Sequence, residues 1–130
     1  MTTSVDDVRE VAFVVGNVVK TGGDVVVLAS LELLPGLAYN LEGRYVLCDE
    51  SNGASAAGVV EVATNFVIGS KPVIEGATED RRFGNPLLKA ASVEWVINGT
   101  DLELQLTGIG GVFIDASASV KGVGTGKALL

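Results

Sequence analysis

The sequence has 130 residues but no histidine, one cysteine and three prolines. Histidine is the commonest general base near neutral pH and the commonest metal ligand, so Ser-His-Asp and Cys-His arrangements are excluded. A single cysteine, Cys48, cannot form an internal disulfide, and folding in a reducing cytoplasm is the simplest interpretation. Cys48 lies in a strand pattern and is expected to be a small core residue. These absences argue against an enzyme.

Basic side chains are also few, with nine against sixteen acidic ones and a net charge of −7. An acidic chain repels nucleic acid unless its cations cluster, and the one adjacent basic pair, Arg81-Arg82, follows Glu79-Asp80. No run of about 18 apolar residues is long enough to cross a bilayer. The segment Met1–Asp7 lacks the basic and apolar regions of a secretory signal. We therefore expect no nucleic-acid partner, no membrane partner and no cleaved signal.

The residues that are present favour β-structure. The chain is 48% hydrophobic but only 5% aromatic, so aliphatic side chains must fill the core. Val and Ile pack well on pleated sheets, and 17 glycines suit many tight reversals. This length is typical of a single domain with a real hydrophobic core.

The clearest alternation lies near the C-terminal end of the sequence. Leucines alternate with polar residues over Leu102–Leu106, which places the leucines on one face of a strand. Asn98-Gly99 before it suits a type I′ hairpin turn, and Phe113–Val120 alternates in the same way. We predict a three-stranded antiparallel meander over Val93–Val120.

Other strand-like runs precede the meander. Exposed loops are expected at Asp49–Gly58 and at Glu75–Leu88. About eight short strands without a helical repeat predict an all-β fold, an antiparallel β-sandwich or jelly roll. Residues 11–121 would form the sandwich domain, residues 1–10 a flexible N-terminal arm and residues 122–130 a flexible Gly-rich C-terminal tail. The strand-like runs that precede the meander are Val11–Lys20, Val25–Leu34, Leu37–Cys48, Val59–Ile68 and Val73–Ile74.

Candidate chemistry is sparse. Adjacent carboxylates at Asp6-Asp7, Asp49-Glu50 and Glu79-Asp80 could support acid–base catalysis, but solvated surface charge is the favoured interpretation. Asp49, Glu50 and Asn52 could supply oxygens to calcium, although their spacing does not match an EF-hand loop. Trp95 is expected in the core rather than stacked on a sugar. We predict no catalytic residue, no cofactor and no metal.

The stretch Val93–Gly108 resembles the C-terminal part of small β-rich virion proteins of tailed bacteriophages. The shared pattern is a strand ending in an Asn-Gly turn, an alternating strand and a Thr-Gly. The likeness extends over Leu41–Val123, although many such proteins have an aromatic residue early in the last strand, where the nearest here is Phe113. The resemblance implies a capsid or tail accessory subunit, made in the host cytoplasm and assembled into the virion. It carries no catalytic residue.

Two hypotheses follow. The first is a head decoration (cement) protein that bridges subunits of the major capsid protein, as a homo-oligomer with a trimer favoured. The second is a tail or head-fibre module that binds a host-surface glycan or protein through the loops Asp49–Gly58 and Glu75–Pro86. Contacts with virion partners are expected at charged pairs and at an apolar C-terminal end: Asp6, Asp7, Arg81, Arg82, Leu129 and Leu130.

Overall fold

The computed structural model describes the backbone of residues 7–21 and 24–126, and the side chains of residues 24–79 and 84–126. This part of the chain contains no α-helix, and no helix in it is long and apolar enough to cross a membrane. A short 3₁₀ turn, Pro86–Leu88, precedes the sixth strand. The strands are β1 (Asp7–Thr21), β2 (Val25–Glu32), β3 (Leu37–Asp49), β4 (Ser55–Asn65), β5 (Val73–Gly84), β6 (Ser92–Asn98), β7 (Asp101–Thr107) and β8 (Phe113–Gly126).

The strands form two antiparallel sheets, which confirms the predicted all-β sandwich. The larger sheet has the order β1-β8-β3-β4-β5, and the smaller has the order β2-β7-β6. β8 returns beside β3 after β6 and β7 have run through the other sheet. The strands β8-β3-β4-β5 therefore have the Greek-key order common in β-sandwiches.

Side-chain alternation places the core between the sheets. In the smaller sheet, Leu102, Leu104 and Leu106 of β7 are fully buried, as their spacing predicted. In the larger sheet, Leu41 and Leu47 of β3 are equally buried and belong to the same apolar cluster. Aliphatic side chains thus fill most of the core, with Tyr39, Tyr45, Phe66 and Trp95 as its buried aromatic members.

The predicted meander is right in its hairpin and wrong in its third strand. β6 and β7 pair through a turn in which Gly99 has φ of 65°. β8 does not pair with β7, because β2 occupies that edge of β7 from Val25↔Thr107 to Glu32↔Asp101. The chain crosses after Gly108 to the larger sheet, where β8 lies between β1 and β3.

The expected loop Glu75–Leu88 was also wrong, since most of it is strand β5. β5 is an edge strand with β4 as its single neighbour, and residues 75–79 are exposed. Charged residues on an edge strand discourage further strand pairing. Such a strand has no apolar alternation and resembles a loop in sequence. The other expected loop is shorter than predicted, because β4 begins at Ser55.

The ends of the domain extend beyond the predicted bounds. Residues 7–10 belong to β1 and residues 122–126 to β8, paired from Asp7↔Gly126 onward. Alternate glycines in β8 let the strand lie close to β3: a Cβ on Gly124 would lie 2.5 Å from the Tyr39 ring, and one on Gly122 would meet the Asn40 carbonyl oxygen. Their period of two was the missed strand signal. Residues 1–6 and 127–130 lie outside the described residues, so the flexible arms stay predictions there.

Gly122→Ala is expected to lower the free energy of unfolding by about 1–3 kcal/mol, because the added methyl group must displace backbone of β3. Gly76→Ala in β5 is the matched control, since its Cβ would meet nothing within 4 Å. Gly76→Ala should lower the free energy of unfolding by less than about 1 kcal/mol, or raise it, because alanine restricts the unfolded chain. Urea unfolding of both variants measures the difference. Equal effects would contradict the packing of β8 on β3.

Candidate interaction surfaces

The sandwich has two ends that differ in character. At the loop end, the β3–β4 turn meets the start of β8, since the Glu50 amide donates to the Phe113 carbonyl at 3.0 Å. There the Asn85 amide also donates to the Ser55 carbonyl at 2.9 Å, which joins residues 85–91 to the same end. At the terminal end, β1 begins beside the last residue of β8, and the β4–β5 turn projects.

The β3–β4 turn uses its polar side chains to cap its own backbone. The Asp49 carboxylate accepts the Ser51 amide at 2.8 Å, and the Asn52 side chain accepts the Ala54 amide at 2.8 Å. Asp49 is buried in this role, at 5% exposure. One carboxylate oxygen of Asp49 and the side-chain oxygen of Asn52 thus stabilise the turn itself. Among the described side chains, no group of three or more acidic, Cys or His residues is arranged to hold a metal ion.

Two carboxyl groups meet beside this turn. A hydrogen bond with Asp115 raises the pKa of Glu50, and the negative charge of Asp115 and partial desolvation raise it further. Glu50 is exposed and Asp115 is half-buried on β8. A carboxyl group whose pKa is raised by a neighbouring carboxyl group is a feature that many acid–base sites share. The same arrangement arises wherever two acids are brought together by strand pairing.

A small depression of about 150 Å³ opens between β5 and β6, at one edge of the sandwich. Glu79 and Glu94 line it, and the Tyr45 hydroxyl donates to the Glu79 carboxylate at 3.2 Å. Trp95 also borders it, but the indole is 6% exposed and its N–H donates to the Val60 carbonyl at 2.9 Å. The predicted burial of Trp95 is confirmed, because its ring packs in the core rather than facing solvent.

An exposed apolar cluster marks the terminal end. Val67 is 59% exposed, Ile68 50% and Val73 47%. We call these three residues the apolar tip. The turn that carries them is held to β3, since the Gly36 amide donates to the Phe66 carbonyl at 2.6 Å and the Phe66 amide donates to the Leu37 carbonyl at 3.2 Å. The sequence had placed Val67 and Ile68 inside a strand, so this surface was missed.

A second surface is the outward side of the larger sheet, formed by the outward residues of β4, β3 and β8. We call it the outer face. Strand register aligns Glu61, Glu42 and Lys121 in one row across these strands. The Arg44 guanidinium pairs with Glu42 at 2.8 Å. The other outward residues are mostly short or uncharged: Ala38, Asn40, Val46, Cys48, Ser55, Ala57, Val59, Ala63, Asn65, Asp115, Ser117, Ser119, Val123 and Thr125.

Among the predicted partner contacts, the structure describes the backbone of Asp7, Arg81 and Arg82, and it places Asp7 far from the two arginines. Asp7 begins β1, and Arg81 lies in β5, where it pairs with Gly58 of β4. The strands β1 and β5 are the two opposite edges of the larger sheet. Arg82 falls at a register shift of β5, where a bulge leaves it without a paired residue. Asp6, Leu129 and Leu130 lie outside the described residues, as do the side chains of Asp7, Arg81 and Arg82.

Cys48 is on the outer face rather than in the predicted core. It pairs with Asp115 on β8, and its exposure is intermediate. Its neighbours Leu47 and Asp49 are the buried residues at this point of β3, which fixes Cys48 on the opposite side of the sheet. The strand was predicted correctly, but Cys48 was assigned to the wrong face of it.

Comparison with known proteins leaves the chain without a family. No protein-family model matches the sequence, and no curated protein matches it. Similar solved structures include the tailspike protein of Acinetobacter baumannii phage AM24 (13% identity, TM-score 0.41) and that of Acinetobacter baumannii bacteriophage Fri1, a capsular polysaccharide depolymerase (11% identity, TM-score 0.45).

These matches cover most of this chain but little of the tailspikes. They span 95% of this chain and 26% of the AM24 protein, and 89% of this chain and 17% of the Fri1 protein. The chain is therefore similar to about a quarter or less of each tailspike. Likeness at this level assigns neither a family nor an activity.

Glu50→Gln is expected to raise the melting temperature at neutral pH, because it removes the repulsion between two carboxylates. The raised pKa means that folded protein binds the Glu50 proton more tightly than unfolded chain does. This stabilisation is present at low pH and is lost as pH rises through the folded-state pKa of Glu50. The gain from Glu50→Gln should therefore shrink as pH falls.

Melting temperatures of both proteins between about pH 3 and about pH 8 test this coupling. Asp115→Asn should reproduce the neutral-pH gain, and the double variant should add little to either single change. A gain that is constant across pH, or one absent from Asp115→Asn, would contradict it.

Proposed function

We propose that this protein is a structural virion protein of a tailed phage and that it acts by contact with other proteins rather than by catalysis. The form that we favour is a capsid decoration (cement) protein, which stabilises the head by bridging subunits of the major capsid protein. The resemblance of Val93–Gly108 to β-rich virion proteins supports the class. The apolar tip supports the mode of action, and it is the observation on which the proposal depends.

The tip has the properties of a protein-binding site. Val67 and Ile68 lie in the β4–β5 turn and Val73 follows it, and each is about half exposed. Exposed apolar residues grouped at one turn are candidates for a protein contact site. The hydrogen bonds to Gly36 and Leu37 hold the turn in place, so binding would order few additional groups. An apolar partner surface fits this chemistry better than a glycan does.

The tip would form only the centre of a contact. A stable interface buries about 1,600 Å² in total, which is more than three side chains supply. Flanking residues of the β4–β5 turn, such as Ser70 and Lys71, would form its polar rim. On a symmetric shell, many such contacts act together, so that weak single contacts give a large combined effect.

The proposal predicts that purified protein co-sediments with undecorated phage shells and raises the temperature at which they break. Ile68→Lys should abolish both effects, because it places a charge at the centre of the apolar tip. Leu87→Lys is the matched control, since Leu87 is 61% exposed but lies at the loop end. If the wild-type protein does not co-sediment, or if both variants behave alike, the decoration role is wrong.

A tail or head-fibre module is the second candidate, and the loop end is the observation that favours it. The loops Asp49–Gly58 and Glu75–Pro86 were expected to form one binding end. Most of Glu75–Pro86 is strand β5, but the hydrogen bond between Asn85 and Ser55 joins residues 85–91 to the β3–β4 turn at that end. Binding to host polysaccharide would then be lost when the β3–β4 turn is shortened and kept in Ile68→Lys. A glycan array that shows no saturable binding would remove this candidate.

A further inference from the structure

Most side chains on the outer face are short. Eighteen positions in six rows cover β4, β3 and β8, and most of them are Ala, Ser, Thr, Val, Asn or Cys. Val46 is 53% exposed and Val123 52% exposed on this face. A shallow depression of about 220 Å³ lies beside Val46, and one of about 420 Å³ lies beside Val123. A face of this shape can pack against another sheet at the usual spacing of about 10 Å.

Charge on the outer face is arranged asymmetrically across β3. In the row Glu61–Glu42–Lys121, the acidic end lies on β4 and the basic end lies on β8. Glu42 is already paired with Arg44 at 2.8 Å. The exposed Glu61 and the exposed Lys121 thus stand on either side of a neutralised centre.

We propose that the outer face packs against the outer face of a second copy, about a two-fold axis that runs along β3 between the two molecules. This axis exchanges the β4 and β8 sides of the face. It places Glu61 opposite the partner's Lys121, twice in each pair, and Ala63 opposite the partner's Val123. Val46 lies near the axis and meets the partner's Val46. Glu42 and Arg44 also lie near the axis, where this ion pair meets the same ion pair of the partner. A two-fold interface must be self-complementary in this way.

The alternative two-fold axis, which runs across the strands through the same row, lacks this complementarity. It places Glu61 opposite the partner's Glu61 and Lys121 opposite the partner's Lys121. Like charges in an interface cost free energy and exclude wrong arrangements. Of these two axes, the charge pattern therefore favours the one along β3.

Pairing through the outer face is independent of the proposed function. The apolar tip lies in the β4–β5 turn, outside the three strands that form the face. A paired molecule would keep both tips free for other partners. Shell binding and self-association can consequently fail separately, and Ile68→Lys should leave the pair intact.

Sedimentation equilibrium of the whole chain over a range of concentrations tests the proposal. The wild-type protein should approach twice its mass of 13.3 kDa, and the association should weaken with salt. Lys121→Glu should weaken pairing by about tenfold or more, because two attractive contacts become repulsive. The double variant Glu61→Lys with Lys121→Glu should restore it, since the exchange recreates both pairs.

Lys71→Glu is the matched control, because it makes the same charge change at an exposed residue outside the face. Circular dichroism checks that every variant is folded. Four results would each overturn the proposal: a monomer at all concentrations, a mass of three chains, equal weakening by Lys71→Glu and Lys121→Glu, or no recovery in the folded double variant.

Discussion

The contact between Trp95 and the backbone of the larger sheet is the interaction around which the sandwich is built. The indole crosses from β6 and donates to the Val60 carbonyl at 2.9 Å, so its polar atom is satisfied inside the core. Gly43 leaves the space, because a Cβ there would lie 3.1 Å from Cζ2 of the indole and 3.2 Å from Leu104. One missing side chain on β3 thus lets the largest side chain of an aromatic-poor protein fill the gap between the sheets. Leu104 of β7 lies opposite Trp95 in the β6–β7 pair and borders the same space.

Much of this fold could be predicted because alternation reports directly which side chains share a face. The strands β7 and β8, the Asn98-Gly99 turn and the burial of Trp95 all follow from that rule. Alternation does not report which strands are neighbours, so β8 was assigned to the wrong sheet. Alternation also fails to predict a strand whose residue types are set by something other than burial of one face. β5 is polar because it is an edge, and Gly122 and Gly124 are small because β3 and Tyr39 lie against them.

The interaction surfaces were harder to predict than the fold, for the same reason. The row Glu61–Glu42–Lys121 exists only once β4, β3 and β8 are neighbours in a particular register. The charged pairs chosen from the sequence were adjacent in the chain, whereas a surface is assembled across strands. Together the apolar tip and the outer face describe a protein that works by its shape. One surface would meet a partner of different sequence, and the other would meet a second copy.

The central claim is that the outer face meets its own counterpart, and Cys48 offers the most direct measurement. It is the sole cysteine, lies on the outer face of β3 and is partly exposed, so it reports on this face without any substitution. Sheets packed about 10 Å apart along β3 would bring two copies of Cys48 within reach of a short bis-maleimide linker. We predict a covalent dimer at concentrations where the protein is paired. Complete reaction of Cys48 with one arm of the linker, without any covalent dimer, would contradict the account.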